Sequence, residues 1–284
     1  MLRKLIAGIG LIMGSQLLWP LPFAATVAFA AELSEIRDRG YLIVAVKDNR
    51  PPMGFLDEAN QLSGFEIDIA RRLAKDLLGD AGAVEFVPTE NVDRLNAVIE
   101  GQVDVAIAAL TITEPRRRIV SFSDPYYLDG TAFITRLSTE SLPAIQTIRD
   151  LQLSTIAVLN RSSTVAQVSY ILPAAQLVGV SSYLEAQALV ESGTVDAFAG
   201  DASVLTGWTM PGEALADHSI LPSIISAEPL AVAVPKGEQY SPLQTAVNEA
   251  IQRWYEEGWL QSRSKFWRLP EGVLPSALDN GSTD

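Results

Sequence analysis

The stretch GTAFITR, residues 130–136, reads as a β-strand, and no helical pattern leads into it. A second strand of the same kind, LAVAVP at residues 230–235, stands equally alone. Between them the chain alternates: a short helix near 147–151, strand STIAVL (154–159), a helix from Thr164 to Ile171, strand LVGV (177–180), helix SYLEAQALVESG (182–193) and strand VDAFAG (195–200). Before them lies another alternating set. Leu42–Val46 is apolar on both faces, as a buried strand of an α/β sheet should be. The segment RPPMGFLDEANQLSG (50–64) has two prolines and a polar turn, and reads as loop. In FEIDIARRLAKDLLGD (65–80), Ile69, Ala70, Leu73, Ala74 and Leu77 make one apolar helical face, and Gly79 marks its stop. Glu66 and Asp68 at its start suit the positive end of the helix dipole. AVEFVPT (83–89), VDRLNAVIEGQ (92–102) and VDVAIAAL (103–110) continue the pattern as strand, helix and strand.

Alternating strands and helices predict parallel sheets covered by helices. Two such sets, the second bracketed by the two lone strands, predict two α/β lobes joined by two crossings, near 130–137 and 229–235. The first lobe then takes residues 31–132 and, on the return, 232–270, where a long helix runs from about Pro242 to Glu257. The second lobe takes 133–231, and 271–284 forms a polar, frayed tail. Ligands in open α/β sheets sit beyond the carboxyl ends of strands, which here places a site in the cleft between lobes.

The chain has 284 residues and a formal net charge of −13. That acidic balance argues against broad nucleic-acid binding, which needs a cationic surface to displace counterions. Residues 1–30 carry Arg3 and Lys4, an apolar stretch from Leu5 to Leu18, and Ala28-Phe29-Ala30 ahead of Ala31. This reads as a cleaved secretory signal peptide. Its removal leaves 19 basic and 34 acidic residues, a charge of −15. There is no cysteine, hence no disulfide and no lipid-attachment cysteine. A freely diffusing periplasmic protein is expected.

Five stretches carry a family resemblance: GFEIDIARRLA (64–74), VDVAIAALTITEPRRRIVSFSDPYY (103–127), IAVLNRSST (156–164), VDAFAGDASVL (195–205) and AVNEAIQRWYEEGWLQSRSKFW (246–267). In this order, across 32–268, they resemble the extracellular solute-binding proteins of polar amino-acid ABC importers, the family-3 group. The resemblance implies a two-lobed periplasmic binding protein-like fold of type II. Two crossing strands would form its hinge, closing on ligand. It further implies a small-molecule amino acid as ligand, a membrane permease as partner, no nucleic acid, and a monomer without cofactor.

An amino acid offers a carboxylate, an ammonium and a side chain. A planar guanidinium suits the carboxylate, through two parallel hydrogen bonds. Arg116 resembles the family's carboxylate arginine; Thr111, five residues earlier, matches a hydroxyl donor, and Ala109 a position that contributes backbone groups. Arg117 and Arg118 have no such match and read as solvated. Thr113 reads as the cap of the following helix, with Pro115 in its first turn. Asp201 resembles the family's ammonium acceptor, although an aspartate there also suits a helix N-cap. Ser163, with Ser162 beside it, matches the loop that meets the carboxylate from the opposite lobe; a capping turn is the alternative.

One departure bears on specificity. Arg50 stands where the family usually has an aromatic residue. With Lys47 and Asn91 it predicts a rim that repels lysine or arginine and favours glutamate, aspartate or glutamine, unless Lys47 and Arg50 face solvent.

The catalytic inventory is thin. The single histidine, His218, falls in a polar stretch and reads as a surface residue. No metal-binding, phosphate-loop or nucleophile-elbow motif is present, so no catalytic or metal residue is assigned. A dehydratase on the same fold, and a ligand-sensing module docking on a membrane receptor, remain as alternatives.

Overall fold

The apolar run Leu42–Val46 forms strand β1 in the computed structural model, which describes residues 31–137, 145–209 and 218–270. The expected signal segment and tail lie outside these residues. Helix α1 (Leu33–Arg39) precedes β1. After it, β2 (Asn49–Arg50), β3 (Gly54–Leu56) and β4 (Leu62–Ser63) form a small antiparallel sheet. From sequence that region reads as plain loop. These strands are two or three residues long, too short to show a period of two.

Helix α2 (Phe65–Leu78) buries Ile69, Ala70, Leu73 and Ala74, and Gly79 ends it in the left-handed region at φ 85°. Strand β5 (Val84–Pro88), helix α3 (Arg94–Ile99), strand β6 (Val105–Ala106) and helix α4 (Glu114–Arg117) follow. Strand β7 (Ser121–Asp129) runs through SFSDPYYLD, and β8 (Thr131–Arg136) through the lone strand GTAFITR. Next come β9 (Thr155–Leu159), α5 (Thr164–Ile171), β10 (Gln176–Val180), α6 (Tyr183–Ser192), β11 (Ala197–Asp201) and α7 (Ala202–Trp208). The expected helix near 147–151 is a single 3-10 turn, Ile148–Leu151. Strand β12 (His218–Ile220) and β13 (Glu228–Val234) lead to α8 (Ser241–Glu256) and α9 (Trp259–Phe266).

Two five-stranded sheets result, in the orders β5-β1-β6-β13-β7 and β10-β9-β11-β8-β12. Strands linked through helices pair parallel, as β1 does with β5 and β6, and β9 with β10 and β11. The strands adjoining the crossings pair antiparallel, β13 with β6 and β7, and β8 with β11 and β12. The sheets are therefore mixed rather than purely parallel, because a strand arriving from the other lobe needs no helical crossover. Each lone strand lies wholly in one sheet. The chain changes sheet at Gly130 and again between Ile220 and Glu228. Gly130 is crowded from across the pivot: a Cβ there would strike the Ile224 side chain and lie 2.7 Å from the Ser226 carbonyl oxygen. Asp129, the last residue of β7, and Glu228, the first of β13, sit opposite each other in register beside the two crossings.

Both sheets carry apolar cores on both faces. In the first lobe Leu42, Val44 and Val46 pack with α2 and α8 around fully buried Trp254, whereas Ala45 faces Ala97, Ala106 and Phe122. In the second, Ile134, Phe198 and Trp208 fill one face, and Phe133, Ile156 and Val168 the other. Among the described residues no helix is long and apolar enough to cross a membrane.

Candidate functional site

Thr113 opens α4 from an extended conformation, its hydroxyl 3.4 Å from the Arg116 amide, with Pro115 in the first turn. That short helix aims one arginine inward. The Arg116 guanidinium donates to the Thr111 carbonyl at 2.9 Å and, across the seam between lobes, to the Arg161 carbonyl at 3.2 Å. Arg117 and Arg118 are exposed. Burial lowers the Arg116 pKa, against the attraction of Glu228 and Asp201.

Beneath Arg116 lies a shelf built from the end of β6. Ala109 takes the left-handed conformation, φ 50°, which costs a non-glycine residue energy unless its surroundings hold it. They do. Its amide donates to Glu66 Oε1 at 2.7 Å, and its carbonyl accepts from Arg94 at 2.8 Å. Arg94 also reaches the Ala108 carbonyl at 2.6 Å, and the Tyr126 hydroxyl donates to Glu66 Oε1 at 2.5 Å. Both Ala109 backbone groups are thus engaged inside the first lobe. Glu66 is fully buried, not a solvated residue complementing the dipole of α2. Its pKa is raised by burial, against the pull of Arg50. Burial pushes Arg94 down to about 9, with Arg116 and Arg50 adding repulsion.

The second lobe meets this shelf with the loop 160–163. The Ser162 hydroxyl donates to the Leu159 carbonyl at 2.7 Å, a local turn bond. Ser163 behaves differently. Its hydroxyl does not cap α5 but donates to Glu228 Oε2 at 2.5 Å. Thr111 donates to the same oxygen at 2.9 Å, and the two hydroxyl oxygens lie 3.3 Å apart. Thr111 and Ser163 are therefore brought together across the seam. In this arrangement neither hydroxyl proton is free for a ligand carboxylate.

Asp201 ends β11 at the N-cap position of α7 but does not cap it. That task falls to Asp129, which accepts from the Ser203 amide at 3.1 Å and the Ser203 hydroxyl at 2.5 Å. Asp201 instead forms an ion pair with Arg50 and accepts from the Tyr183 hydroxyl. Arg50 is 3% exposed and lies over the Tyr183 ring, 5.2 Å from its centre. Burial alone would lower the Arg50 pKa, but Asp201 raises it overall. The solvent-facing alternative for Arg50 is thus ruled out, and its charge is matched by Asp201.

Lys47 is also buried, its ammonium 2.6 Å from the Thr89 carbonyl, and burial lowers its pKa to about 8. Asn91 bridges the seam by donating to the Asn160 carbonyl at 2.7 Å. All three side chains expected at the rim are buried and engaged by protein partners rather than facing solvent. A groove of about 340 Å³ flanks the seam between Pro51–Pro52 and Gly207–Trp208; the expected site residues do not line it. His218, expected on a polar surface loop, is half-buried in β12 and pairs with Arg136 in register. Among the described residues no cluster of acids and histidine is arranged to hold a metal ion.

Glu66, Arg94 and Glu228 hydrogen-bond to expected site residues and Asp129 lies beside Asp201, and the sequence alone singles out none of the four. The apolar residues after Glu228 carry no hint that it is buried; its position at the crossing does.

Asp129 should give stability a pH dependence. Burial, with Asp201 beside it, raises its pKa from 3.8 to about 7. An acid held above its unfolded value stabilises the folded protein when protonated. That contribution is complete below roughly pH 4 and disappears as pH rises through about 7. Stability should fall across this window, and Asp129→Asn should flatten the fall in a urea-midpoint profile against pH. An identical slope in the variant would show that Asp129 is not the titrating group.

The chain is 30% identical over 213 residues to a glutamine-binding protein of Geobacillus stearothermophilus, covering 74% of this chain and 79% of the relative. The fold matches a solute receptor for L-cysteine of Neisseria gonorrhoeae, with TM-score 0.76 and 29% identity over 84% of this chain and 94% of that one. It also matches an ancestral amino acid-binding protein described as a precursor of cyclohexadienyl dehydratase, with TM-score 0.73 and 29% identity over 84% and 99% of the two chains. The two-lobed architecture is that of the type II periplasmic binding proteins. Residues 42–270 match one family model throughout, and the chain belongs to the bacterial extracellular solute-binding proteins, family 3.

Proposed function

We propose that this chain is the amino-acid-binding component of an ABC importer, working in the periplasm and delivering its ligand to an inner-membrane permease. One observation carries the reading: Arg116 and Thr111 of the first lobe converge on the Arg161–Ser163 loop of the second. A ligand held there contacts both lobes only when they are closed, so binding favours closure. Arg116 holds the α-carboxylate. Asp201, already neutralised in part by Arg50, lies on the ammonium side.

The ligand side chain is neutral polar or acidic. Three arginines, Arg50, Arg94 and Arg116, influence one another's charge around the seam, and a fourth cation would add repulsion. Binding occurs without turnover. A thermal-shift panel of glutamine, glutamate, aspartate, lysine and arginine tests the assignment, because ligand bound to the native state raises its apparent stability. Stabilisation by one of the first three, with none by lysine or arginine, is expected. The reverse pattern overturns the side-chain assignment, and conversion of a prephenate-like acid to product would establish an enzyme.

A further inference from the structure

The groove of about 340 Å³ beside the seam is walled by Pro51, Pro52, Phe266, Trp267 and Arg268 on the first lobe, and by Gly207 and Trp208 on the second. Its volume is at the small end of the range for sites that hold small molecules, about 300–1,000 Å³. The aromatic walls are fixed from behind. Trp208 stacks on Phe198, ring centres 5.7 Å apart. The Trp267 indole donates to Asp68 at 2.7 Å, with its ring perpendicular to that of Phe55. Phe266 is 63% exposed and carries the Arg263 guanidinium 4.3 Å from its ring centre.

Two residues of the groove go against their local structure. Gly207 lies inside α7, where glycine weakens a helix, yet neither a positive φ nor crowding calls for it. Among the described residues a Cβ there would meet only Pro52 Cδ, at 3.9 Å. The missing side chain leaves the space between the lobes open. Arg268 is the reverse case. Helix α9 ends in a Schellman turn: the Leu269 amide donates to the Ser264 carbonyl at 2.9 Å, and the Arg268 amide to the Lys265 carbonyl at 3.0 Å. The left-handed residue of such a turn is usually glycine. Here it is arginine, at φ 53°. A side chain kept at a strained position and a side chain withheld from a helix shape one groove, and such departures from local preference gather at functional sites.

Flat apolar walls accept a ring, and three aromatic residues and two prolines supply them. Among the described residues no acid lines the groove, and its one charged lining residue is Arg268. A guanidinium suits a planar carboxylate. In a chain of formal net charge −13, an acid-free recess bearing an arginine is complementary to an anion. We propose that this groove is a second ligand site, for a small aromatic carboxylate: its ring lies between Trp208, Trp267 and the prolines, and its carboxylate meets Arg268. The proposal goes beyond the amino-acid reading and does not depend on it. The walls belong to both lobes, so an occupant is held only while they are closed and itself favours closure.

The test is calorimetry on the full mature chain with 3-phenylpropanoate, 3-phenylpropanamide, which lacks the charge, and butanoate, which lacks the ring. The first should bind about tenfold more tightly than either of the others. Saturating glutamine or glutamate should not displace it, and Arg116→Ala should bind it as the wild type does. Gly207→Met fills the groove from a helical position with room for a side chain, and should abolish binding with the circular dichroism spectrum unchanged. Phe266→Ala, at an exposed position, removes a wall instead and should weaken binding. Arg268→Asn, whose side chain tolerates the left-handed backbone, should weaken the carboxylate about tenfold and bring it level with the amide. No binding of 3-phenylpropanoate overturns the proposal. Displacement by the amino acid, or loss in Arg116→Ala, also overturns it, since either places the compound in the cleft at Arg116. Unchanged affinity in Gly207→Met or in Arg268→Asn does the same. If Gly207→Met instead breaks up a dimer seen in concentration-dependent scattering, the occupant is a second copy of the chain and the proposal falls. The amino-acid reading stands or falls separately, on its own thermal-shift panel.

Discussion

Arg116→Ala should lose about 100-fold in amino-acid affinity, roughly 2.7 kcal/mol, with the thermal midpoint of the free protein unchanged. Among the described residues its guanidinium pairs with no carboxylate; its two hydrogen bonds go to the Thr111 and Arg161 carbonyls. A ligand carboxylate would gain a charge-assisted, planar contact there, and losing such a partner typically costs about 2–5 kcal/mol. The fold should be spared because Arg116 caps nothing and fills no core; α4 is started by Thr113 and Pro115. Arg117→Ala, one residue along and exposed, is the matched control and should change affinity by less than about twofold. Calorimetry on both variants decides the matter. Equal affinities for wild type and Arg116→Ala would take Arg116 out of the site.

The second large effect concerns the lobes themselves. Arg50→Ala leaves Asp201 in the closed seam with no ion-pair partner among the described residues: its direct hydrogen bond is to the Tyr183 hydroxyl, and Arg94 and Arg116 act on it from farther off. Removing the partner of a buried ion pair costs up to about 3–5 kcal/mol, and the more distant arginines lessen that penalty here. The protein has a way to relieve it. Opening at Gly130 and the 221–227 segment returns Asp201 to water without disturbing either core. The expected result is a larger radius of gyration in solution scattering, with secondary structure and urea midpoint near those of the wild type. A variant as closed as the wild type would show that Arg50 does not hold the lobes together. Arg50→Ala with Asp201→Asn should close again, because the stranded charge is then gone.

Much of this architecture can be read from the chain. Leu42–Val46 and the face of α2 are legible because burial on both sides of a strand, or along one stripe of a helix, leaves a period in the sequence. Helix α5 starts and ends where the pattern places it, at Thr164 and Ile171. The cap at Thr113 is legible for a local reason: cap, proline and arginine are neighbours in sequence.

What is illegible depends on distant partners. Strand β7 hides in SFSDPYYLD, which contains a proline and two acids, because it edges its sheet and is irregular where Pro125 faces Ala231. Arg50 and Asp201 are 151 positions apart, and nothing local announces that they pair. Glu66 looks like any acid in a first helical turn until the left-handed Ala109 presents its amide to it. Glu228 is the clearest case. A glutamate before an apolar strand reads as a solvated flank, yet four hydroxyls from 111, 131, 163 and 226 gather on it.

The strand order of the first sheet has a consequence for how the chain comes to be folded. Strand β13 lies between β6 and β7, yet it is made about a hundred residues after them. A chain emerging from its amino end can assemble β5, β1 and β6, but their sheet keeps an open edge at β6 until residues 228–234 arrive. The second sheet has no such gap, since all its strands lie between 131 and 220. It can therefore be complete while the first is still waiting. Such long-range pairing is slow, and a waiting strand edge is prone to pair with another chain. The lobe that starts first is thus the one that finishes last, and the exposed edge of β6 is where aggregation during folding would begin.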